Sequence, residues 1–261
     1  MLALRGLCKK FGAIRATERV NLDLLSGEVH ALIGPNGAGK TTLINQVAGE
    51  LKPDLGTIRF EGRDITNLPV HRRSALGIAR TFQATNIFNG FTAIDNVALS
   101  VQARDVHSFR FWKPARRIRH LRDAALAALG QVGLAHRAET RASRLSYGEQ
   151  RLVGIAMALA SGPRVLLLDE PTAGMGARAS AEMVNLLHGL KEQISLFLVE
   201  HDMDAVFSLA DRISVLVYGR IIASGTPEEI RQDPSVREAY LGEEEIVSEP
   251  MVSGIQAETH A

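Results

Sequence analysis

Cysteine is nearly absent from the chain, which has 261 residues and a single thiol, at Cys8. One thiol excludes an internal disulfide and a metal site built from several cysteines, and it is typical of proteins from a reducing compartment. We expect Cys8 to act as a small buried hydrophobic residue on the first strand.

The chain also lacks a long apolar run and an excess of one charge. No stretch approaches the roughly 18 apolar residues of a membrane span, and residues 1–5 lack the basic-then-apolar layout of a signal peptide. Lysine and arginine number 30 against 29 aspartate and glutamate residues, so the overall charge gives no reason to expect binding to nucleic acid. These absences predict a cytosolic protein that touches a membrane only through a partner.

Glycine is concentrated in one loop, around which the rest of the chain is organised. Residues 34–42 read Gly-Pro-Asn-Gly-Ala-Gly-Lys-Thr-Thr and lie between the apolar runs Val29–Ile33 and Leu43–Val47. This order predicts a strand, a loop whose backbone N–H groups surround phosphate oxygens, and a helix that adds its positive N-terminal end. Lys40 would reach the β- and γ-phosphates of a nucleotide, and Thr41 would offer its hydroxyl to Mg²⁺. An ordinary strand-to-helix turn would not explain Lys40.

The remaining pattern predicts one sheet interrupted by helices. Alternating apolar residues in Leu2–Cys8 and Val20–Leu24 predict antiparallel strands near a sheet edge, with Phe11 in the turn between them. An aromatic ring on such a turn could stack on a purine, although a lone exposed phenylalanine usually has no such role. Alanine-rich helical periodicity predicts a mainly helical block over about residues 84–160, after which alternating strands and helices indicate a mostly parallel sheet covered on both faces.

Two segments outside this pattern are defined by composition. Residues 104–122 combine arginine and lysine with aromatic side chains. They predict either a helix facing acidic lipid headgroups or an acidic partner, or a solvated charged face with its aromatic rings packed underneath. Residues 243–261 are acidic and polar, and they predict a disordered C-terminal tail.

Carboxylates and a histidine follow two of the predicted strands. Asp169 and Glu170 come directly after the apolar run Val165–Leu168, where Asp169 would hold Mg²⁺ and Glu170 would polarise an attacking water. His201 follows the strand predicted at Ser195–Val199, so it would lie at the carboxyl ends of the sheet near the γ-phosphate. An Asp-Glu pair alone commonly just ends a strand, so the nucleotide interpretation depends on the presence of Lys40 as well.

A second possible phosphate site precedes the helix predicted from about Arg151. The segment Leu145–Gln150 reads Leu-Ser-Tyr-Gly-Glu-Gln. Ser146 and Glu149 have the spacing of a capping box, and Ser146 and Gly148 could instead present donors to a phosphate at the helix N-terminus. Both interpretations stay open at this point, and one nucleotide does not obviously need two phosphate sites.

Taken together, these features resemble the ATP-binding-cassette (ABC) ATPases over about residues 1–242. The resemblance rests on motifs in the order of that family: Phe11 (adenine-stacking loop), Gly34–Thr42 (Walker A), Gln83 (Q-loop), Leu145–Glu149 (signature), Val165–Glu170 (Walker B) and His201 (switch histidine). It implies an α/β fold of the RecA-like P-loop NTPase type, with a mostly parallel sheet core, an antiparallel β edge and an inserted α-helical subdomain at about residues 84–160.

The resemblance also implies a chemistry and a set of residues for it. In this family two cassettes pack head to tail, and each ATP lies between the Walker A of one and the signature of the other. The implied catalytic residues are Glu170, His201, Gln83 and Lys40. The implied ATP contacts are Phe11, Gly34, Asn36, Gly37, Ala38, Gly39, Lys40, Thr41, Thr42, Ser146 and Gly148. The implied Mg²⁺ ligands are Thr41, Gln83 and Asp169.

Several segments are similar to the ATPases of branched-chain amino acid importers. They are residues 77–83, the basic insertion around Phe109–Arg122, residues 145–150, Val199–Met203 and Ala239–Gly242. This similarity implies a second ABC ATPase subunit in a heterodimer or homodimer, transmembrane permease subunits, an indirect link to a periplasmic binding protein, and a cytoplasmic place on the inner face of the membrane. Such systems carry branched-chain amino acids, urea, short amides or aromatic and other carboxylates; a soluble ABC-type ATPase with a non-transport or regulatory role is the alternative.

The chain departs from the family pattern at two places. Tyr147 and Glu149 stand where the commonest signature, LSGGQ, has glycine and glutamine. Gly176 stands where the D-loop usually has aspartate or asparagine, which removes a side chain expected to reach across the dimer.

Overall fold

The computed structural model of the chain describes residues 1–81, 87–104 and 119–244. The strands in these ranges are β1 (Leu2–Phe11), β2 (Ile14–Leu24), β3 (Val29–Ile33), β4 (Leu55–Phe60), β5 (Arg63–Asp64), β6 (Ile78–Arg80), β7 (Val165–Asp169), β8 (Ser195–Val199), β9 (Arg212–Val217) and β10 (Arg220–Gly225). The helices are α1 (Lys40–Ala48), α2 (Val70–Leu76), α3 (Ala93–Arg104), α4 (Arg119–Gln131), α5 (Tyr147–Ala160), α6 (Ala177–Leu190), α7 (Met203–Leu209), α8 (Pro227–Gln232) and α9 (Pro234–Glu244).

The main sheet has six strands in the order β10-β9-β3-β8-β7-β6. Strands β9, β3, β8, β7 and β6 run parallel, and β10 pairs antiparallel with β9 at one edge. Both faces are covered: Leu166 and Leu168 of β7 pack into one apolar cluster, and Val165 and Leu167 pack into the other. The predicted mostly parallel core with an antiparallel edge is therefore confirmed.

A second sheet holds the first strands of the chain, in the order β2-β1-β4-β5. The predicted antiparallel pairing of the first two strands is confirmed, but they form their own sheet and do not lie at the edge of the parallel one. The reason is helix α1, whose Leu43, Ile44 and Val47 are fully buried in a cluster that also contains residues of both sheets. The second sheet covers the outer side of this helix.

The helical block lies against the opposite face of the main sheet. Helices α3, α4 and α5 pack against one another, and the Ala93 N–H donates to the Thr140 carbonyl at 2.9 Å. Gln83 and residues 105–118 of the basic segment lie outside the described residues. None of the helices in the described ranges has the length and apolar character needed to cross a membrane.

Two local expectations were wrong. Cys8 is half-buried; it lies in a part of β1 where the register with β2 is irregular, and its sulfur accepts the Arg19 N–H at 3.3 Å. Helix α9 extends through Glu244, two residues into the predicted tail, while residues 245–261 lie outside the described part. The Asp233 carboxylate accepts the Ser235 N–H at 2.8 Å, so Asp233-Pro234 is a helix-start signal that the sequence contained.

Candidate functional site

The glycine loop between β3 and α1 has no room for side chains at two positions. Gly34 and Gly39 have φ angles of 152° and 106°, in the region that favours glycine. A Cβ atom at Gly34 would lie 2.0 Å from the Leu216 carbonyl oxygen, and one at Gly39 would lie 2.0 Å from the Ala16 carbonyl oxygen. The loop is thus pressed against β9 and β2, which fixes its backbone as a cradle of a shape suited to phosphate.

Lys40 adds a positive charge inside this cradle. Its Nζ donates to the carbonyl oxygens of Gly34 at 2.5 Å and Pro35 at 3.0 Å, and the residue is only 9% exposed. The first turn of α1 contains no acidic residue, and Gly39 at its N-cap makes no side-chain hydrogen bond to the helix. The backbone N–H groups at this helix end therefore keep their attraction for an anion.

Asp169 lies at the carboxyl end of β7 and is nearly buried, at 4% exposed. Its Oδ2 accepts a hydrogen bond from Arg80 at 3.0 Å, and the same guanidinium contacts Asn45 Oδ1 at 2.6 Å and Glu50 Oε2 at 2.7 Å. Sequence reasoning missed Arg80 as part of the site. Its position at the end of a strand parallel to β7 was the available signal, because Arg80 and Asp169 end neighbouring strands at the same sheet edge.

Glu170 and His201 are brought together by the neighbouring strands β7 and β8. His201 Nδ1 lies 3.7 Å from Glu170 Oε1, and the two side chains are 60% and 24% exposed. Glu170 has a left-handed backbone with φ 49°, which is uncommon for a residue with a side chain and is often found at functional sites. The arrangement leaves a carboxylate and an imidazole side by side at the open edge of the sheet.

Glu200 joins the two turns that carry these groups. Its carboxylate is 1% exposed and accepts the N–H of Thr172 at 2.9 Å, the Thr172 hydroxyl, and the His201 N–H at 3.0 Å. A buried carboxylate needs such donors, because an unpaired charge in the interior is costly. Glu200 therefore fixes the backbone of His201 relative to the turn that follows β7.

The segment before α5 forms the capping box that was one of the two interpretations of Ser146. The Ser146 Oγ accepts the Glu149 N–H at 3.3 Å, and the Glu149 carboxylate accepts the Ser146 N–H at 2.8 Å. Burial alone would raise the pKa of the Glu149 carboxyl, but the hydrogen bonds with Ser146 and the nearby positive charge of Arg137 outweigh it, so the pKa is lowered. Gly148 lies in the first turn of the same helix, beside Met175.

Of two further predicted site residues, one belongs to the second sheet and the other lies outside the described residues. Phe11 is the last residue of β1 in the second sheet, with a ring that is 50% exposed and lies 5.8 Å from Lys9 Nζ. Gln83 lies outside the described residues. Among the described residues there is no group of three or more histidine, cysteine, aspartate or glutamate side chains that could hold a metal ion.

Comparison with known proteins identifies the family. The profile of the ABC transporter family matches residues 17–173. The chain belongs to this family. A further profile, that of the branched-chain amino acid ATP-binding cassette transporter, matches residues 220–246 of this ABC ATPase.

Similar proteins support the same assignment over nearly the whole chain. The high-affinity branched-chain amino acid transport ATP-binding protein LivG of Salmonella typhimurium is 39% identical over 250 residues, which cover 93% of this chain and 98% of LivG. The BraF protein of Pseudomonas aeruginosa, with the same description, is 38% identical over 250 residues, which cover 93% of this chain and 98% of BraF.

Solved structures of cassettes have the same fold. A nucleotide-free ATP-binding cassette from an ABC transporter is 33% identical, with a TM-score of 0.83 over 92% of this chain and 98% of that structure. The ADP conformation of the cassette MJ1267 is 31% identical, with a TM-score of 0.82 over 93% of this chain and 98% of that structure. The fold is therefore that of an ABC ATPase, as the sequence predicted.

Proposed function

We propose that this ABC ATPase uses ATP hydrolysis to drive a membrane importer of branched-chain amino acids or of a related small solute. The main support is the convergence of the site at one sheet edge. The glycine loop follows β3, His201 follows β8 and Asp169-Glu170 follow β7, and these three strands are neighbours in the parallel sheet. The carboxyl ends of parallel strands are where such folds bind nucleotides.

In the proposed reaction the chain's own groups divide the work on ATP. Lys40 and the backbone N–H groups of the loop hold the β- and γ-phosphates. Glu170 accepts a proton from the attacking water and orients it, and His201 stabilises the charge of the γ-phosphate. Phe11 offers its exposed ring to the adenine.

Thr41 and Asp169 are the residues that would hold Mg²⁺. A hydroxyl and a carboxylate fit this ion, which proteins usually bind through one or two oxygen side chains, with phosphate oxygens and water completing the octahedron. The bound ion would neutralise charge on the phosphates. Gln83 is proposed as a third contact on the basis of the family resemblance alone.

Ser146 and Gly148 are proposed to contact the nucleotide of a second ABC ATPase subunit. The capping box orients the first turn of α5, whose N–H groups would face the partner's γ-phosphate. Permease subunits would hold the pair at the inner face of the membrane. The names of LivG and BraF support branched-chain amino acids as the transported class.

The carboxylate assignment is tested by Glu170→Gln. We expect ATP turnover to fall at least about 100-fold, because the amide cannot accept the proton, while ATP binding is retained. Phosphate release and equilibrium ATP binding measure the two effects. Glu182→Gln, on the exposed face of α6, is the matched control and should keep full turnover. Turnover at the wild-type rate in Glu170→Gln would show that Glu170 is not the base.

The transport assignment is tested by uptake. Cells that lack the gene should lose accumulation of radiolabelled leucine, isoleucine or valine, and the wild-type gene should restore it whereas Glu170→Gln should not, since transport depends on hydrolysis. Labelled urea, acetamide and benzoate are measured in parallel. If uptake of branched-chain amino acids is unchanged and uptake of urea, acetamide or benzoate is lost, the transported solute belongs to the class of that compound. If no uptake changes, the importer role is contradicted.

A further inference from the structure

Arg151 connects the signature segment to the backbone of Glu170. It is the fifth residue of α5 and is buried, at 7% exposed. One terminal nitrogen of its guanidinium donates to the Glu170 carbonyl oxygen, and the other donates to the Tyr147 hydroxyl at 2.8 Å. The guanidinium carbon also lies 4.9 Å from the centre of the Tyr147 ring, within the range of a cation–π interaction.

The Glu170 backbone at this contact needs to be held in place. A left-handed conformation, here φ 49°, is unfavourable for a residue with a Cβ and persists only where the surroundings impose it. Three hydrogen bonds do so: the Glu170 N–H donates to the Val199 carbonyl at 2.8 Å, and the Glu170 carbonyl accepts from the Ala173 N–H at 3.2 Å and from Arg151. Arg151 is the one charged donor of the three, and charge-assisted hydrogen bonds are the stronger kind.

Tyr147 belongs to the same packed unit. Its Cε1 lies 3.5 Å from the point that a Cβ on Gly174 would occupy, so the ring lies beside the turn that follows β7. Tyr147 is also one residue after Ser146, and it is one of the two positions at which this signature departs from LSGGQ. Its hydroxyl is the group that accepts a hydrogen bond from Arg151.

We propose that Arg151 is a positioning residue for ATP hydrolysis, held by Tyr147, and that it keeps the Glu170 carboxylate aimed at the attacking water. This inference rests on the proposed role of Glu170. The rotation of the Glu170 backbone sets the direction of its side chain, and Arg151 fixes that rotation through the carbonyl. Because Tyr147 lies in the segment proposed to complete the partner's site, the same contacts join the chain's two nucleotide-facing parts within one subunit.

This connection matters more in a chain with Gly176. Gly176 has no side chain with which this turn could contact a partner subunit. The Tyr147–Arg151 pair contacts the same turn from inside the subunit.

The experiment measures ATP hydrolysis by the full-length chain co-expressed with its permease and companion ATPase and reconstituted in vesicles. For Arg151→Ala we expect kcat to fall about 10- to 100-fold, because misplacement of a catalytic group by about 1 Å has an effect of this size, with KM for ATP within about twofold of wild type. Arg151→Lys should recover part of kcat, since its ammonium can donate to one acceptor. Tyr147→Phe keeps the ring but loses the acceptor, and we expect about a fivefold loss of kcat.

Arg164→Ala is the matched control. Arg164 also stacks over an aromatic ring, with its guanidinium carbon 5.3 Å from the centre of Phe60, and forms an ion pair with Glu61. It directly precedes β7, at the end of the strand opposite to Glu170, so its removal should leave kcat and KM at the wild-type values. Amide hydrogen exchange adds a second readout: exchange in a peptide covering residues 165–175 should be faster in Arg151→Ala than in Arg164→Ala.

The outcomes separate this inference from the proposed function. Wild-type kcat in Arg151→Ala and Tyr147→Phe, with Glu170→Gln inactive, would overturn the positioning role and leave the role of Glu170 intact. Active Glu170→Gln would overturn both. If Arg151→Ala has a lower kcat, a higher KM for ATP and a lower thermal stability, and Arg151→Lys restores none of them, Arg151 has a purely structural role and the inference is overturned. If Arg151→Ala does not fold, Tyr147→Phe decides, because it keeps the buried ring and the arginine.

Discussion

Individual residues in this protein are constrained most tightly where the backbone approaches another strand. Gly34 and Gly39 each have a carbonyl oxygen where a Cβ would be, whereas Gly37, also left-handed with φ 77°, has nothing within 4 Å of that point. The loop therefore contains two kinds of glycine. At Gly37 only the backbone conformation favours glycine, whereas at Gly34 and Gly39 a neighbouring strand also leaves no space for a Cβ atom.

This difference predicts unequal effects of two substitutions in the same loop. Gly37→Ala should lower the free energy of unfolding by about 1 kcal/mol, the strain of a left-handed alanine. Gly39→Ala should lower it by about 3 kcal/mol, since the methyl group also displaces β2, and ATP affinity should fall with it. Denaturant unfolding and ATP binding measure both variants. Equal losses of stability would show that the Ala16 carbonyl does not restrict this position.

At the scale of elements, two helices begin with the same device. The capping box of α8 joins Thr226 and Glu229 with hydrogen bonds of 2.8 and 3.3 Å, the same lengths as those between Ser146 and Glu149 in α5. Helix α8 has no proposed role in nucleotide binding. Comparison of the two helices can therefore distinguish the capping role of Ser146 from a contact with the nucleotide of a partner subunit.

We expect Ser146→Ala and Thr226→Ala each to lower the free energy of unfolding by about 1 kcal/mol, the usual effect of losing an N-cap side chain. Only Ser146→Ala should also reduce ATP turnover in the assembled transporter, since only that hydroxyl would face a nucleotide. Thermal unfolding and phosphate release are the measurements. If both variants lose stability and keep full turnover, Ser146 is a helix cap and no more.

At the scale of the whole molecule, a buried histidine lies where the two sheets meet. His30 of β3 is 1% exposed, and its Nε2 lies 2.8 Å from Ser214 Oγ on β9. Burial is the main cause that lowers the pKa of His30 to about 4; the charge of Arg212 acts in the same direction, and Glu28 and Asp23 oppose it without reversing it. The folded protein therefore contains the neutral imidazole at neutral pH.

This pKa predicts how stability depends on pH. Between pH 6.5 and 4 the unfolded chain binds a proton at His30 that the folded chain does not, so stability is full above pH 6.5 and falls as the pH falls. The loss should reach about 3 kcal/mol at 1.4 kcal/mol for each pH unit. When the free energy of unfolding is measured with denaturant at several pH values in this range, it should depend less steeply on pH in His30→Gln than in the wild type. Equal slopes would assign the acid sensitivity to other groups.

Features encoded by adjacent residues were predictable from the sequence. The glycine loop, the acidic end of β7 and the histidine after β8 each consist of an apolar run and the few residues that follow it, so their local structure and position at a strand end could be inferred. The start of α9 at Asp233 was readable in the same way and was overlooked. The motifs also predicted the family of the chain, and the comparisons confirm that prediction.

The contacts between distant parts of the chain were decided by the tertiary structure. Arg80 and Asp169 are 89 residues apart, and they meet only because β6 and β7 are neighbours. Arg151 reaches the Glu170 carbonyl because the start of α5 lies beside the turn that follows β7. The first strands form a separate sheet because α1 lies between that sheet and the parallel one. Local pattern determines what each segment can form, whereas strand order and burial determine which segments meet. The sequence by itself thus determined the glycine loop and the family of the chain, and the fold decided which side chains surround the loop.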